Sequence, residues 1–156
     1  MKKRILLISV ISIMLVAMLF CLTGCTKTKS FTYDVSTGEK IELKLKTDNG
    51  YDITSNIPFA IKKDDKTILQ GSFITEEGYN QYIALTKTVS GATILDSGEK
   101  NGAEYTFYKY EYPGQDTEYN FIVKVKKSKT GVLIGSTASE KEAKEAFERL
   151  NFSKVD

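Results

Sequence analysis

Two adjacent pairs of carboxylates are the side chains of this sequence whose type and spacing suit chemistry. Asp64 and Asp65 form one pair, and Glu76 and Glu77 form the other. Two neighbouring carboxylates can hydrolyse a glycosidic bond or bind calcium. The first pair also suits a tight turn, and the second suits the first turn of a helix, where negative charge is stabilising without a ligand. The local structural role is the simpler interpretation, and a carboxylate-dependent hydrolase is the alternative.

Most other catalytic groups are missing from the sequence. It contains no His, and its two Cys are Cys21 and Cys25. The absence of His excludes Ser-His-Asp and Cys-His catalysis and removes the commonest zinc ligand. Residues 97–102 contain two glycines but lack the spacing of a phosphate-binding loop. We therefore expect a domain that is not an enzyme and that holds no metal and no cofactor.

The N-terminal residues have the pattern of an export signal. Residues 2–4 are basic, and residues 5–20 are apolar without a charge. Residues 22–25, Leu-Thr-Gly-Cys, resemble the lipobox of bacterial lipoprotein signals, in which the Cys thiol takes a diacylglycerol group. The resemblance implies a signal peptide over residues 1–24 and lipidation of Cys25, because two acyl chains give stable anchoring. An uncleaved signal anchor is the alternative.

The implied location is the cell membrane, with the domain lipid-anchored and facing outside the cytoplasm. The excess of Lys over Arg suggests an AT-rich genome. We therefore favour the outer surface of a Gram-positive cell. Without the three residues of the basic N-terminus, 19 of the 22 basic residues remain against 20 acidic ones, which argues against nucleic acid as a partner. We expect the membrane as one partner, through the lipid on Cys25, and an envelope protein or glycan as the other.

Cleavage before Cys25 leaves 132 of the 156 residues, enough for one packed domain. Residues 25–30 are predicted to be the lipidated Cys and a short polar tether. Residues 31–156 are predicted to be a single globular domain. Its stability must come from a packed core, since Cys21 leaves with the signal peptide and Cys25 carries lipid.

The apolar pattern of the mature chain indicates an α+β fold. Residues 41–45 alternate as in a half-buried strand, and the charged turn at residues 62–65 predicts a hairpin. Helical spacing predicts a helix over residues 76–89 and another after Ser139, which opens a capping box. Four meander strands are expected between them, over residues 92–96, 103–112, 118–126 and 131–136. The prediction is an antiparallel sheet of about six strands covered by two helices.

The meander and the closing helix carry a second resemblance. A helix running from Ala146 and Phe147 through Leu150 into Phe152 after such a meander resembles the Mog1/PsbP-like fold, over residues 59–155. The resemblance implies an α/β/α sandwich. It also implies a compact, non-catalytic accessory or binding domain.

The meander contains a ladder of aromatic residues. If Gly114 and Gln115 form a two-residue turn, Tyr110 and Tyr112 share a face with Tyr119. Such a face either packs beneath a helix or recognises a ligand, because Tyr offers flat apolar area with a polar tip. The three tyrosines lie near the hairpin tip, where helix cover is least, and they are the candidate binding site.

A cluster of lysines lies at the end of the strand predicted over residues 118–126 and just after it, at residues 124, 126, 127 and 129. Attraction to an anionic membrane is one interpretation. A solvated edge that blocks aggregation between strands is the simpler one.

Lipidation of Cys25 is the first testable prediction. Mass spectrometry of the mature protein should show a diacylglycerol-modified Cys25 at its N-terminus, and globomycin should cause the uncleaved precursor to accumulate. Cys25→Ser should abolish the modification. A mature chain that starts elsewhere, or an unmodified Cys25, would contradict the prediction.

Overall fold

Residues 27–156 are described by a computed structural model, and they form ten strands and two helices. The signal peptide predicted over residues 1–24 and the lipidation site at Cys25 lie outside the described residues. The elements are, in chain order, β1 (Thr28–Asp34), β2 (Lys40–Lys46), β3 (Tyr51–Ile53), β4 (Phe59–Lys63), β5 (Lys66–Thr75), α1 (Glu76–Thr88), β6 (Ala92–Lys100), β7 (Ala103–Tyr110), β8 (Glu118–Val125), β9 (Thr130–Ser136), α2 (Glu140–Phe147) and β10 (Leu150–Val155). Neither helix has the length and apolar character needed to span a membrane.

The strands form two antiparallel sheets. The large sheet has seven strands in the order β3-β4-β5-β9-β8-β7-β6, and the small sheet has three in the order β1-β2-β10. The predicted α+β class and antiparallel pairing are confirmed. The predicted count of about six strands is wrong, because a three-residue strand (β3) and the strands at the two ends of the domain carry weak local patterns.

The first strand begins earlier than predicted. Residues 28–30, predicted to be tether, belong to β1 and pair with residues 44–46 of β2. Their side chains are exposed, so apolar alternation could not reveal the strand. Backbone pairing alone extends it, and the tether is correspondingly shorter.

The closing helix is also shorter than predicted. Helix α2 ends at Phe147, and Leu150 and Phe152 lie in β10, opposite Leu45 and Leu43 of β2. Leu150 and Phe152 are both buried, two residues apart, which is the period of a strand. Ala146, Phe147 and Leu150 also fit a helical stripe, so the apolar pattern alone does not distinguish helix from strand after Phe147. Pairing with β2 makes residues 150–155 a strand.

The helix N-termini follow the sequence signals. The Thr75 hydroxyl accepts a hydrogen bond from the Gly78 N–H at 3.2 Å and begins α1. Ser139 and Glu142 form the predicted capping box at the start of α2. These caps satisfy N–H groups that the helices themselves leave unpaired.

The core lies between one face of the large sheet and the layer formed by the small sheet and α2. Phe147 of α2 stacks on Phe121 of β8 with ring centroids 4.1 Å apart, and Phe121 stacks on Phe107 of β7 at 4.4 Å. The ring centroids of Tyr33 of β1 and Phe73 of β5 are 5.1 Å apart, with the rings tilted by 48°. We call this side of the large sheet the core face, and the opposite side the second face.

A partly buried carboxylate joins the two sheets at one end. Glu39, before β2, accepts hydrogen bonds from the hydroxyls of Ser128 and Thr130, from the Lys129 N–H and from Lys154 Nζ. Burial raises the pKa of the Glu39 carboxyl, but the hydrogen bonds outweigh it and lower the pKa to about 2. The carboxylate is therefore charged at all physiological pH values.

Truncation of Phe147 tests the packing of α2. Phe147→Ala removes an aromatic ring that is almost fully buried, and should lower the free energy of unfolding by about 3 to 5 kcal/mol. Leu85→Ala is the matched control, because Leu85 is 52% exposed and should change stability by no more than about 0.5 kcal/mol. Urea unfolding measures both, and equal effects would show that α2 is not docked through this ring.

The Glu39 cluster predicts a specific pH dependence. Since the folded pKa lies below the ordinary value of 4.5, the charged form stabilises the fold above pH 4.5, and this stabilisation is lost as the pH falls toward 2. Glu39→Gln removes the titration. The stability difference between the wild-type protein and the variant should be largest at neutral pH and shrink between pH 4.5 and 2. A difference that is constant with pH would contradict the assignment.

Candidate functional site

The register between β7 and β8 decides which aromatic residues lie together. Tyr108 pairs with Asn120, and Tyr110 pairs with Glu118. The sequence predicted pairing shifted by one residue, with Tyr110 opposite Tyr119. That prediction is wrong, and a shift of one residue places every side chain of one strand on the opposite face.

The turn explains the difference. Pro113 and Gly114 occupy its two central positions, and the Gln115 N–H donates to the Tyr112 carbonyl at 3.2 Å. Gly114 has a φ of 76°, which suits the third position of a type II turn after a proline. The predicted two-residue loop at Gly114 and Gln115 is replaced by a seven-residue connection, residues 111–117.

The predicted tyrosine site is consequently divided. Tyr110 and Tyr112 lie together, with ring centroids 4.2 Å apart. Tyr119 lies on the core face instead, where its ring stacks on Phe107 at 6.2 Å. Tyr119 is part of the core packing, whereas Tyr112 is 41% exposed.

The second face of the large sheet carries a groove of about 600 Å³ beside α1. Its lining comes from four strands and the helix, and we call it the sheet groove. The side chains used below are Gln70 and Ser72 of β5, Tyr82 of α1, Tyr108 of β7, Glu118 and Asn120 of β8, and Leu133 of β9. The register described above places Tyr108, Glu118 and Asn120 on this face.

A glycine on β9 leaves space above the sheet at the base of the groove. A Cβ atom at Gly135 would lie 3.2 Å from the Asn120 Oδ1 atom, closer than most side-chain contacts. Gly135 therefore leaves the Asn120 amide uncovered. Neither Asn120 nor Gln70 makes a side-chain hydrogen bond to another residue of the described part of the chain.

Tyr108 is a partly buried polar group of the site. Burial raises the pKa of Tyr108 to about 12, and Tyr82, Glu118 and Tyr112 contribute electrostatically in the same direction. The phenol is therefore neutral at physiological pH and can donate a hydrogen bond. Tyr82 and Glu118 line the same groove as Tyr108.

A second cavity, of about 500 Å³, adjoins the sheet groove at the β7–β8 connection. It shares Glu118 and Thr137 with the groove and adds Asp116 and Gln115. The two spaces are open to solvent and meet at Glu118 and Thr137, which leaves room for a ligand longer than the groove itself.

The two predicted carboxylate pairs are kept apart. Asp64 and Asp65 have positive φ values in the turn before β5, and Glu76 and Glu77 begin α1 after it. The ten residues of β5 separate the pairs by about 30 Å, given a rise of about 3.3 Å per residue. The pairs cannot combine into one site, and neither lines the sheet groove.

The lysine cluster is divided as well. Lys124 lies on the second face, where its Nζ is 2.8 Å from Glu76 Oε1, and Lys126 forms an ion pair with Glu99. Lys127 and Lys129 are exposed around the turn that follows β8. The four side chains therefore do not form one basic surface.

Comparison of the sequence with protein-family models and with curated proteins gives no match. The site is therefore interpreted from its own chemistry.

Sequence reasoning missed Tyr82, Asn120 and Gln70 as members of a site. In the sequence, Tyr82 fits the apolar stripe of the helix predicted over residues 76–89. Asn120 and Gln70 carry no motif, and only the register brings them together. The Pro113-Gly114 dipeptide was the available signal, because it favours a type II turn and thereby changes the register.

Truncation of two tyrosines tests the division of the predicted site. Tyr119→Ala should lower the free energy of unfolding by about 2 kcal/mol, because its ring packs against the core. Tyr112→Ala should cost less than about 1 kcal/mol, since that ring is largely exposed. Chemical denaturation of both variants gives the comparison. The opposite order would support the register predicted from the sequence.

Proposed function

We propose that this chain is a membrane-anchored extracytoplasmic lipoprotein whose domain acts by binding, without catalysis. The observation that carries the binding role is the sheet groove, where tyrosine, amide and hydroxyl groups meet on a face that the core does not use. Open pockets of this size with a few convergent polar groups are typical of ligand sites. The lipobox carries the anchoring role.

The proposed anchor places the domain close to the membrane. Strand β1 begins at Thr28, so only Thr26 and Lys27 separate it from a lipidated Cys25. Three residue steps span at most about 11 Å. A domain held this close is suited to a partner in the envelope, either a protein or a glycan, on the outer surface of a Gram-positive cell.

We also propose that the two helices lie on opposite faces of the large sheet, as in the α/β/α sandwich of the Mog1/PsbP-like fold. Phe147 of α2 stacks on the core face. On the second face, the Cβ of Tyr79 in α1 lies 3.1 Å from the position that a Gly131 Cβ would take. Both contacts support this arrangement, and the resemblance supports an accessory or binding role.

The proposed binding site retains part of the sequence-based candidate. Tyr110 lies on the same face as Tyr108, and Tyr112 is close enough to Tyr108 to influence its pKa. Neither Tyr110 nor Tyr112 lines the groove itself, and we place their paired rings at its side as a secondary contact for the ligand. Tyr119 is not included, because its ring packs in the core.

A carboxylate-dependent hydrolase acting on envelope material is the rival function. Its best support is that Asp116 and Glu118 line the same cavity at one end of the groove. Broad glycosidase and esterase assays distinguish the two functions. Turnover that disappears in Glu118→Gln would favour the hydrolase.

Retention on envelope material tests the proposed function. The unlipidated protein, produced from residue 25 onward with Cys25→Ser, should sediment with isolated cell envelopes, and Asn120→Ala should weaken this retention at least tenfold. Thr32→Ala is the control, because Thr32 is exposed on the small sheet, away from the groove. Equal retention of both variants would show that the domain does not bind through the groove.

A further inference from the structure

We infer that the ligand of the sheet groove is an uncharged, hydroxyl-rich chain, that is, a neutral oligosaccharide or glycan segment. The inference rests on the proposed function, because it names the ligand class of the same groove. Charge, hydrogen-bonding groups, aromatic surface and shape each support it.

The charge of the groove excludes an anionic ligand. Within residues 27–156, no Lys or Arg lines the groove, and Glu118 is its one charged lining residue. A phosphate-rich or uronic-acid polymer would meet a carboxylate with no cation to offset it. A neutral ligand meets no such penalty.

The polar groups of the groove are suited to hydrogen bonding with the hydroxyl groups of a ligand. A side-chain amide presents a donor and an acceptor side by side, and Asn120 and Gln70 have both groups free of side-chain partners within residues 27–156. The Ser72 hydroxyl and the neutral Tyr108 phenol add groups that can donate or accept. Adjacent sugar hydroxyls also donate and accept, and can therefore pair with an amide in both directions.

The aromatic groups supply the apolar contact that sugar rings need. Tyr82 is 39% exposed, and it lines the groove together with Tyr108. The C–H face of a sugar ring is apolar and packs flat against an aromatic ring, while its hydroxyls remain at the edge. A tyrosine combines both contacts, because its phenol lies at the end of an apolar ring.

A peptide fits the groove less well. An extended peptide binds by adding main-chain hydrogen bonds to a free sheet edge. The floor of the groove is formed by β5, β9 and β8, which lie inside the sheet and pair on both sides. The groove therefore offers side chains and not backbone groups, and the adjoining 500 Å³ cavity extends it for a chain of several sugar units.

Isothermal titration calorimetry on the unlipidated protein, produced from residue 25 onward with Cys25→Ser, tests the inference. The probes are chitohexaose and maltohexaose as neutral glycans, an oligogalacturonate as an acidic glycan, and an uncharged Ser- and Gly-rich peptide. We expect one neutral glycan to bind at least tenfold more tightly than the oligogalacturonate and the peptide. Tyr82→Ala should weaken that binding at least tenfold.

Leu85→Ala is the matched control, because Leu85 is exposed on the same helix but does not line the groove. It should leave the affinity unchanged, and circular dichroism should show both variants folded. Equal loss in both variants, preference for the acidic glycan or the peptide, or no binding of either neutral glycan would overturn the inference. If Asn120→Ala still weakens retention on envelopes in that case, the proposed function stands and only the ligand class is wrong.

Discussion

The pairing of Phe107 with Phe121 is the constraint on which the two faces of the large sheet depend. These rings stack on each other, and Phe121 also stacks on Phe147 of α2. Because side chains alternate along a strand, burying this pair directs Tyr108 and Asn120 to the opposite side. The groove is thus a consequence of the core: the same register that closes one face leaves tyrosine and amide groups on the other.

Helix α1 contacts β8 and β9, and a glycine on β9 makes its close approach possible. Gly131 lies directly beneath the helix, where a Cβ atom would be 3.0 Å from Ile74 and 3.1 Å from Tyr79. The helix presents Tyr79 to the sheet, whereas Tyr82, Leu85 and Val89 are largely exposed. One side of the helix therefore contacts β9 and β8. Tyr82, on another side of the same helix, lines the groove.

Local signals in the sequence predicted local structure well. Thr75 and Ser139 begin helices because their hydroxyls accept a hydrogen bond from a nearby N–H, an interaction contained within one turn. The alternation of apolar and polar residues in β2 predicted that strand correctly. The errors concern long-range pairing: β10 forms because Leu150 and Phe152 meet β2, a strand more than 100 residues earlier. The site could not be predicted because its members come from four strands and a helix, and each position depends on register.

Cross-strand nuclear Overhauser effects between β7 and β8 test the central claim most directly. The account predicts backbone contacts that pair Tyr108 with Asn120 and Phe107 with Phe121 in the isotope-labelled mature chain. Contacts that pair Tyr108 with Phe121 and Tyr110 with Tyr119 would contradict it. They would return Tyr119 to the face of Tyr110 and remove Asn120 from the groove.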